Sequence, residues 1–173
     1  AYAVHNKREE IWDAMNDCDI YGTQLLKIKA NARFDNKMAL GKWIDCSKSY
    51  LKIDISAMSA VERNDYSGKK IKPYDYPEDD PLDYPIKEIY IIKKDTEKGQ
   101  PWCKVINHTV FNKKNEDNLV TLSFTDDKVK PNDFYYIVIK QEAAELFNGD
   151  EKYDAQNEYT AILGPVFIRS VSS

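Results

Sequence analysis

From Leu26 onward, apolar and polar residues take turns. Leu26, Ile28, Ala30 and Ala32 alternate with Lys27, Lys29, Asn31 and Arg33, and Leu51, Ile53, Ile55 and Ala57 alternate with Lys52, Asp54 and Ser56. A repeat of two sends successive side chains to opposite faces of an extended strand, so each segment buries one face and wets the other. The same pattern runs through Ile86 to Lys93, Trp102 to His108 and Leu119 to Thr125. "FYYIVIK" (134–140) and "AILGPVFI" (161–168) are apolar on both faces, which suits a central strand and a strand that Pro165 pushes to an edge or a bulge. Turn-forming clusters such as "DNK", "EKGQP", "NKKNEDN" and "DDKVKPND" lie between them. Seven or so short strands with no helix between them predict a mainly β fold, an antiparallel immunoglobulin-like β-sandwich.

One segment has a different period. In "HNKREEIWDAMNDCDIYGT" (5–23), Asn6 is a good N-cap, Glu9 stands three residues later as a capping box requires, and Ile11, Met15 and Cys18 share a helical face that Trp12 widens. Gly22 is placed to stop the helix in a left-handed conformation. The expected organisation is therefore one N-terminal α-helix in a segment covering residues 1–23, followed by a sandwich domain at 24–173.

Residues 64–85 interrupt the regular spacing of the strands. This stretch holds four of the seven prolines, and "PYDYP" and "PLDYP" recur within it. It reads as a long surface loop with polyproline character. Tyr66, Tyr74, Tyr76 and Tyr84, with Asp79 and Asp80 among them, could form a surface for a glycan or a protein, since aromatic faces beside carboxylates suit both. The plainer alternative, that the tyrosines pin the loop to the sandwich, is favoured. Asp75, Glu78, Asp79, Asp80 and Asp83 could offer oxygen ligands to Ca²⁺, but they lack the EF-hand spacing and its glycine, so a solvated acidic loop is preferred over calcium.

Composition narrows the remaining choices. A net charge of −4 gives no basic field for a phosphate backbone, so nucleic acid is not expected as a partner. No apolar run approaches the roughly 18 residues of a membrane span. His5 and His108 are the only histidines and belong to no metal motif; GxSxG, GxxxxGK[ST] and GxGxxG are all absent. Cys18, Cys46 and Cys103 are widely spaced and odd in number, which reads as buried thiols rather than a disulfide framework. Asn107–His108–Thr109 matches a glycosylation sequon, a triplet that also arises by chance. These residues predict no catalytic, metal or cofactor site in the chain. A start at Ala1 without a leader reads as a piece cut from a longer precursor or as a fragment made for expression.

Both ends of the chain resemble one family. "AVHNKREEIWDAMNDCDIYGT" is similar to the closing strand and helix of barrels in the PHP (polymerase and histidinol phosphatase) superfamily of metal-dependent phosphoesterases: Asn6, Arg8, Glu9, Ile11, Asp13, Ala14, Met15, Ile20, Tyr21, Gly22 and Thr23 match its pattern. The Tyr-rich strand and last strand of its larger members resemble "FYYIVIKQE" and "AILGPVFI" through Tyr135, Tyr136, Gln141, Ala161, Pro165 and Phe167. Gln24 and Leu25 replace the usual small Ser-Gly turn, Ile162 replaces a tryptophan, and residues 60–85 and 143–158 have no counterpart. The resemblance implies a non-catalytic C-terminal accessory domain whose partner is a catalytic barrel in the same parent chain. In that family the metal ligands lie in the barrel, and large members are often exported.

Overall fold

The computed structural model describes residues 7–16, 21–23, 28–58, 63–64, 70–71, 85–94, 103–111, 119–141, 147–148, 151–152 and 159–171. In chain order the elements are helix α1 (Arg8–Asn16) and strands β1 (Tyr21–Thr23), β2 (Lys29–Phe34), β3 (Trp43–Cys46), β4 (Leu51–Met58), β5 (Arg63–Asn64), β6 (Lys70–Ile71) and β7 (Ile86–Lys94). There follow β8 (Cys103–Val110), β9 (Leu119–Asp126), β10 (Phe134–Gln141), β11 (Phe147–Asn148), β12 (Glu151–Lys152) and β13 (Tyr159–Val171).

The alternating segments close into two sheets. In the smaller, β2 and β9 flank β4 antiparallel, with Ala32 opposite Ile55 and Ile55 opposite Leu122. In the larger, the order is β1-β13-β10-β7-β8, with Leu163, Ile137 and Ile91 in one row and Ala161, Ile139 and Ile89 in the next. The inward residues of both sheets form one core, in which the Phe34 and Tyr135 rings lie 6.3 Å apart across the layers. Each fully buried isoleucine in it contributes about 2–3 kcal/mol of transfer free energy. The chain visits the small sheet with β2 and β4, the large one with β7 and β8, returns with β9, and finishes with β10 and β13. In immunoglobulin lettering this is A, B, E opposite C, C′, F, G, so the fold is an immunoglobulin-like β-sandwich, with one short helix among the described residues.

Local features depart from the simple alternation. Strand β13 is not an edge: β10 pairs one side, while the other side is shared by antiparallel β1 at Ala161–Leu163 and parallel β3 at Phe167–Val171. Pro165 lies between these two pairings, where Gly164 and Pro165 stand opposite the single residue Tyr136 in a bulge, and the Pro165 carbonyl accepts a bond from Gly41 N–H at 2.6 Å. A second bulge at Lys87 shifts the parity of β7, so that Ile86 and Ile89 both point inward.

The turn-forming cluster "DNK" is a tight turn, as expected. Asp35 and Asn36 both take positive φ, 47° and 65°, and Phe34 and Lys37 exchange backbone hydrogen bonds. Gly22 does not stop the helix as expected. Helix α1 ends at Asn16, and Gly22 sits in β1 opposite Ile162 without a left-handed φ. The residues Tyr21–Thr23 thus belong to the sandwich sheet, and the helical segment gives way to it before Tyr21 rather than after Thr23. The Asn6 cap and Cys18 lie outside the described residues.

Candidate functional site

Of the residues singled out on the 64–85 loop, Tyr66, Tyr74, Tyr76, Asp79, Asp80 and Tyr84 all lie outside the described residues, as do the remaining candidate calcium ligands and His5. What the described structure does bring together is a charged cluster at one end of the sandwich. Lys93 lies in β7 on the same parity as Ile89 and Ile91, Asp126 ends β9 on the parity of Leu122 and Phe124, and Asp133 precedes Tyr135 and Ile137 on theirs. Each therefore points inward, and all three are buried.

Burial of that kind demands partners. The Lys93 ammonium lies 2.7 Å from Asp126 Oδ2 and 2.9 Å from Asp133 Oδ2, donates to the Lys128 carbonyl at 2.6 Å, and sits 5.5 Å from the centre of the Tyr135 ring. The Tyr135 hydroxyl donates to Asp126 Oδ2 at 2.7 Å, and the N–H groups of Lys128 and Lys130 donate to Asp126 Oδ1 and Asp133 Oδ2 at 2.9 and 2.7 Å. Burial pushes the Asp126 carboxyl up, but the bonds from Lys93, Tyr135 and Lys128 outweigh it and hold the group below the usual carboxylate range. Burial and the neighbouring Asp126 push the Tyr135 phenol well above its ordinary value. The cluster is thus a saturated knot that ties the 127–133 loop to both sheets.

Beside the knot, the sandwich opens. β8 ends the large sheet and β9 ends the small one, and between them lies a cleft of about 540 Å³ whose lining includes Ile106, Phe124 and Val129 as well as Lys94, Lys104 and Lys130. Ile106 and Phe124 pack on the core yet stay partly uncovered, because each sits on an edge strand.

The outer face of the large sheet carries a second group. The Tyr90 and His108 rings stack at 4.2 Å and 7°, Lys140 lies 5.4 Å from the centre of the Tyr90 ring, and His108 Nε2 is 3.4 Å from Glu88 Oε2. The Tyr90 hydroxyl donates to Glu88, and that bond, opposed by burial and helped by Lys140 and His108, keeps the Glu88 carboxyl below its ordinary value. His108 is thus a half-exposed, hydrogen-bonded residue, as a lone histidine suggests. The sequon falls within β8, where Thr109 Oγ1 donates to Asn107 Oδ1 at 2.9 Å.

Cys46 is buried, Cys103 half-buried, and both are free thiols. Burial, with Asp35, Asp45 and Asp133 nearby, pushes the Cys46 thiol up to about 11. Among the described residues, no group of three or more His, Cys, Asp and Glu side chains is arranged to hold a metal ion, and no helix is long and apolar enough to cross a membrane. In α1, Ala14 is the buried residue, while Trp12 is 62% and Met15 50% exposed.

The charged knot was within reach of the sequence, since a lysine or aspartate on the dry parity of a strand announces a partner. The cleft had no comparable signal, because it depends on which strands end each sheet.

No known family profile matches the chain, and no curated protein matches it. Among solved structures, a superoxide reductase (neelaredoxin) from Ignicoccus hospitalis is similar at a TM-score of 0.38 and 8% identity, over 85% of this chain and 82% of that one.

Proposed function

We propose that the chain serves as a non-catalytic accessory domain, an immunoglobulin-like sandwich that packs through helix α1 against the barrel of a PHP-like metal-dependent hydrolase and steadies it or shapes the approach to its active site. The observation that carries this reading is the uncovered apolar surface of α1. A helix of nine residues is shorter than the roughly 12–15 that a lone helix needs in water, so it gains its stability from packing. Yet Trp12 and Met15 stand exposed on it. Covering each would contribute about 1.5–3 kcal/mol, enough to hold a helix onto a neighbour. The pattern running from Asn6 to Thr23 supports a PHP-type barrel as the neighbour.

The coding sequence upstream of Ala1 tests the identity of that neighbour. An HxH motif and further His, Asp and Glu clusters are expected there, and a different kind of domain would sink the proposal. In the full polypeptide, changing Trp12 and Met15 to Ser is expected to loosen the barrel from the sandwich in limited proteolysis. In the isolated 173-residue chain the same changes are expected to alter stability by less than about 0.5 kcal/mol. Zinc-, manganese- or iron-dependent phosphatase turnover by the isolated chain would also overturn the reading.

A further inference from the structure

We propose that the cleft between β8 and β9 binds a small organic anion, a phosphate or carboxylate carried on an apolar or aromatic body. Its volume of about 540 Å³ falls within the range of small-molecule sites, roughly 300–1,000 Å³. Its lining is of two kinds. Ile106 and Phe124, half-buried on the edge strands, together with exposed Val105 and buried Val129 of the 127–133 loop, supply an apolar wall. Five lysines against three aspartates make the remainder locally positive in a chain whose net charge is −4.

The distribution of those charges is the informative part. Asp126 and Asp133 are both engaged with Lys93 inside the knot. The knot itself holds one ammonium against two carboxylates, so the positive excess at the cleft comes from Lys94, Lys104, Lys128 and Lys130 against Asp127, with Lys128 and Lys130 exposed. The backbone N–H groups of these same two lysines are bonded to Asp126 and Asp133, so the knot fixes the positions from which their ammonium groups project. Lys94 is held from the other side, its ammonium donating to the Asn132 carbonyl at 3.1 Å. A positively charged rim on a fixed backbone, beside a half-buried phenylalanine and isoleucine, suits a ligand with a charged head and an apolar body. Ammonium groups act as point charges, so phosphate and carboxylate heads share this chemistry.

Amide chemical shifts of the 173-residue chain, followed during titration with phenylphosphonate, benzoate, inorganic phosphate and benzyl alcohol, test the site. Saturable shifts confined to Lys104–Ile106 and Phe124–Lys130 are expected with at least one of the two aromatic anions, below about 10 mM. The stronger of the two identifies the head group. Binding is expected to weaken at least tenfold in a Lys128→Gln, Lys130→Gln double variant whose other amide positions are unchanged, and to weaken further as salt rises. Lack of saturation by both anions, equal binding of benzyl alcohol, or undiminished binding by the double variant would each overturn the proposal. The Trp12→Ser, Met15→Ser variant should bind as the parent does, which separates this site from the role assigned to α1.

Discussion

The buried lysine of β7 shows how one side chain can be both a liability and a fastening. Removing Lys93 strands two carboxylates that water no longer reaches, whereas removing the Tyr135 hydroxyl takes away one of several donors. Lys93→Met is therefore expected to cost about 3–5 kcal/mol and Tyr135→Phe about 1–2 kcal/mol in urea unfolding. Equal losses would show that the knot is not organised around the ammonium. The same cluster sets an acid limit. The folded Asp126 carboxyl ionises below its unfolded value of about 3.9, so its contribution is complete above that pH and is lost as pH falls through the folded value. Stability is expected to drop below about pH 4, and the drop is expected to be shallower in Asp126→Asn, measured by urea midpoints across pH. A second side chain gives a kinetic readout. With its thiol raised to about 11 and its surface buried, Cys46 is expected to resist iodoacetamide at pH 8 while half-buried Cys103 is alkylated, as peptide mass mapping would show.

Among the elements, β13 depends most on a single residue. Gly164 has φ of 114°, and a Cβ built there would stand 2.8 Å from the Tyr135 carbonyl oxygen. Gly164→Ala is expected to cost about 2 kcal/mol or more, because both the backbone angle and the bulge against β10 resist it. Gly22→Ala is expected to be neutral or slightly stabilising, since nothing lies within 4 Å of the added methyl and its φ is ordinary. Thermal melts of the two variants check the contrast. Gly22 also marks where the sequence misled. A glycine after an amphipathic run suggests a helix stop, and only the distant pairing of Tyr21–Thr23 with Ala161–Leu163 reveals a strand. Among the longer strands, β2, β4 and β9 were legible because one dry face repeats every second residue, and β10 and β13 because they run apolar on both faces. β3 was not, because "WIDC" is too short to show a period and pairs parallel with residues more than a hundred positions away. For the charged knot, Asp126 and Asp133 fall just beyond the segments that read as strands (119–125 and 134–140), and only the folded chain shows that they meet Lys93.

At the scale of the molecule, the two sheets differ in how their strands are protected, and that difference places the working surfaces. β4 is bonded on both sides by β2 and β9, and β10 on both sides by β7 and β13. β8 and β9 end their sheets, and both border the cleft, so the binding surface proposed there rests on the less protected side of the sandwich. Helix α1 buries a single residue, Ala14, and is the least anchored of the longer elements. Amide exchange should follow this order, because protection scales with the free energy needed to open each hydrogen bond. The amides of β4 and β10 are expected to exchange last, at rates set by global unfolding; those on the outward-facing side of β8 and β9 earlier; and those of α1 first. Binding of an aromatic anion would slow exchange in residues 124–130 and leave α1 unchanged. Docking of α1 on a barrel would do the reverse, so one exchange experiment with each partner separates the two surfaces. Protection of α1 equal to that of β4 in the isolated chain would mean that the helix is already anchored, and the exposed Trp12 would then need another explanation.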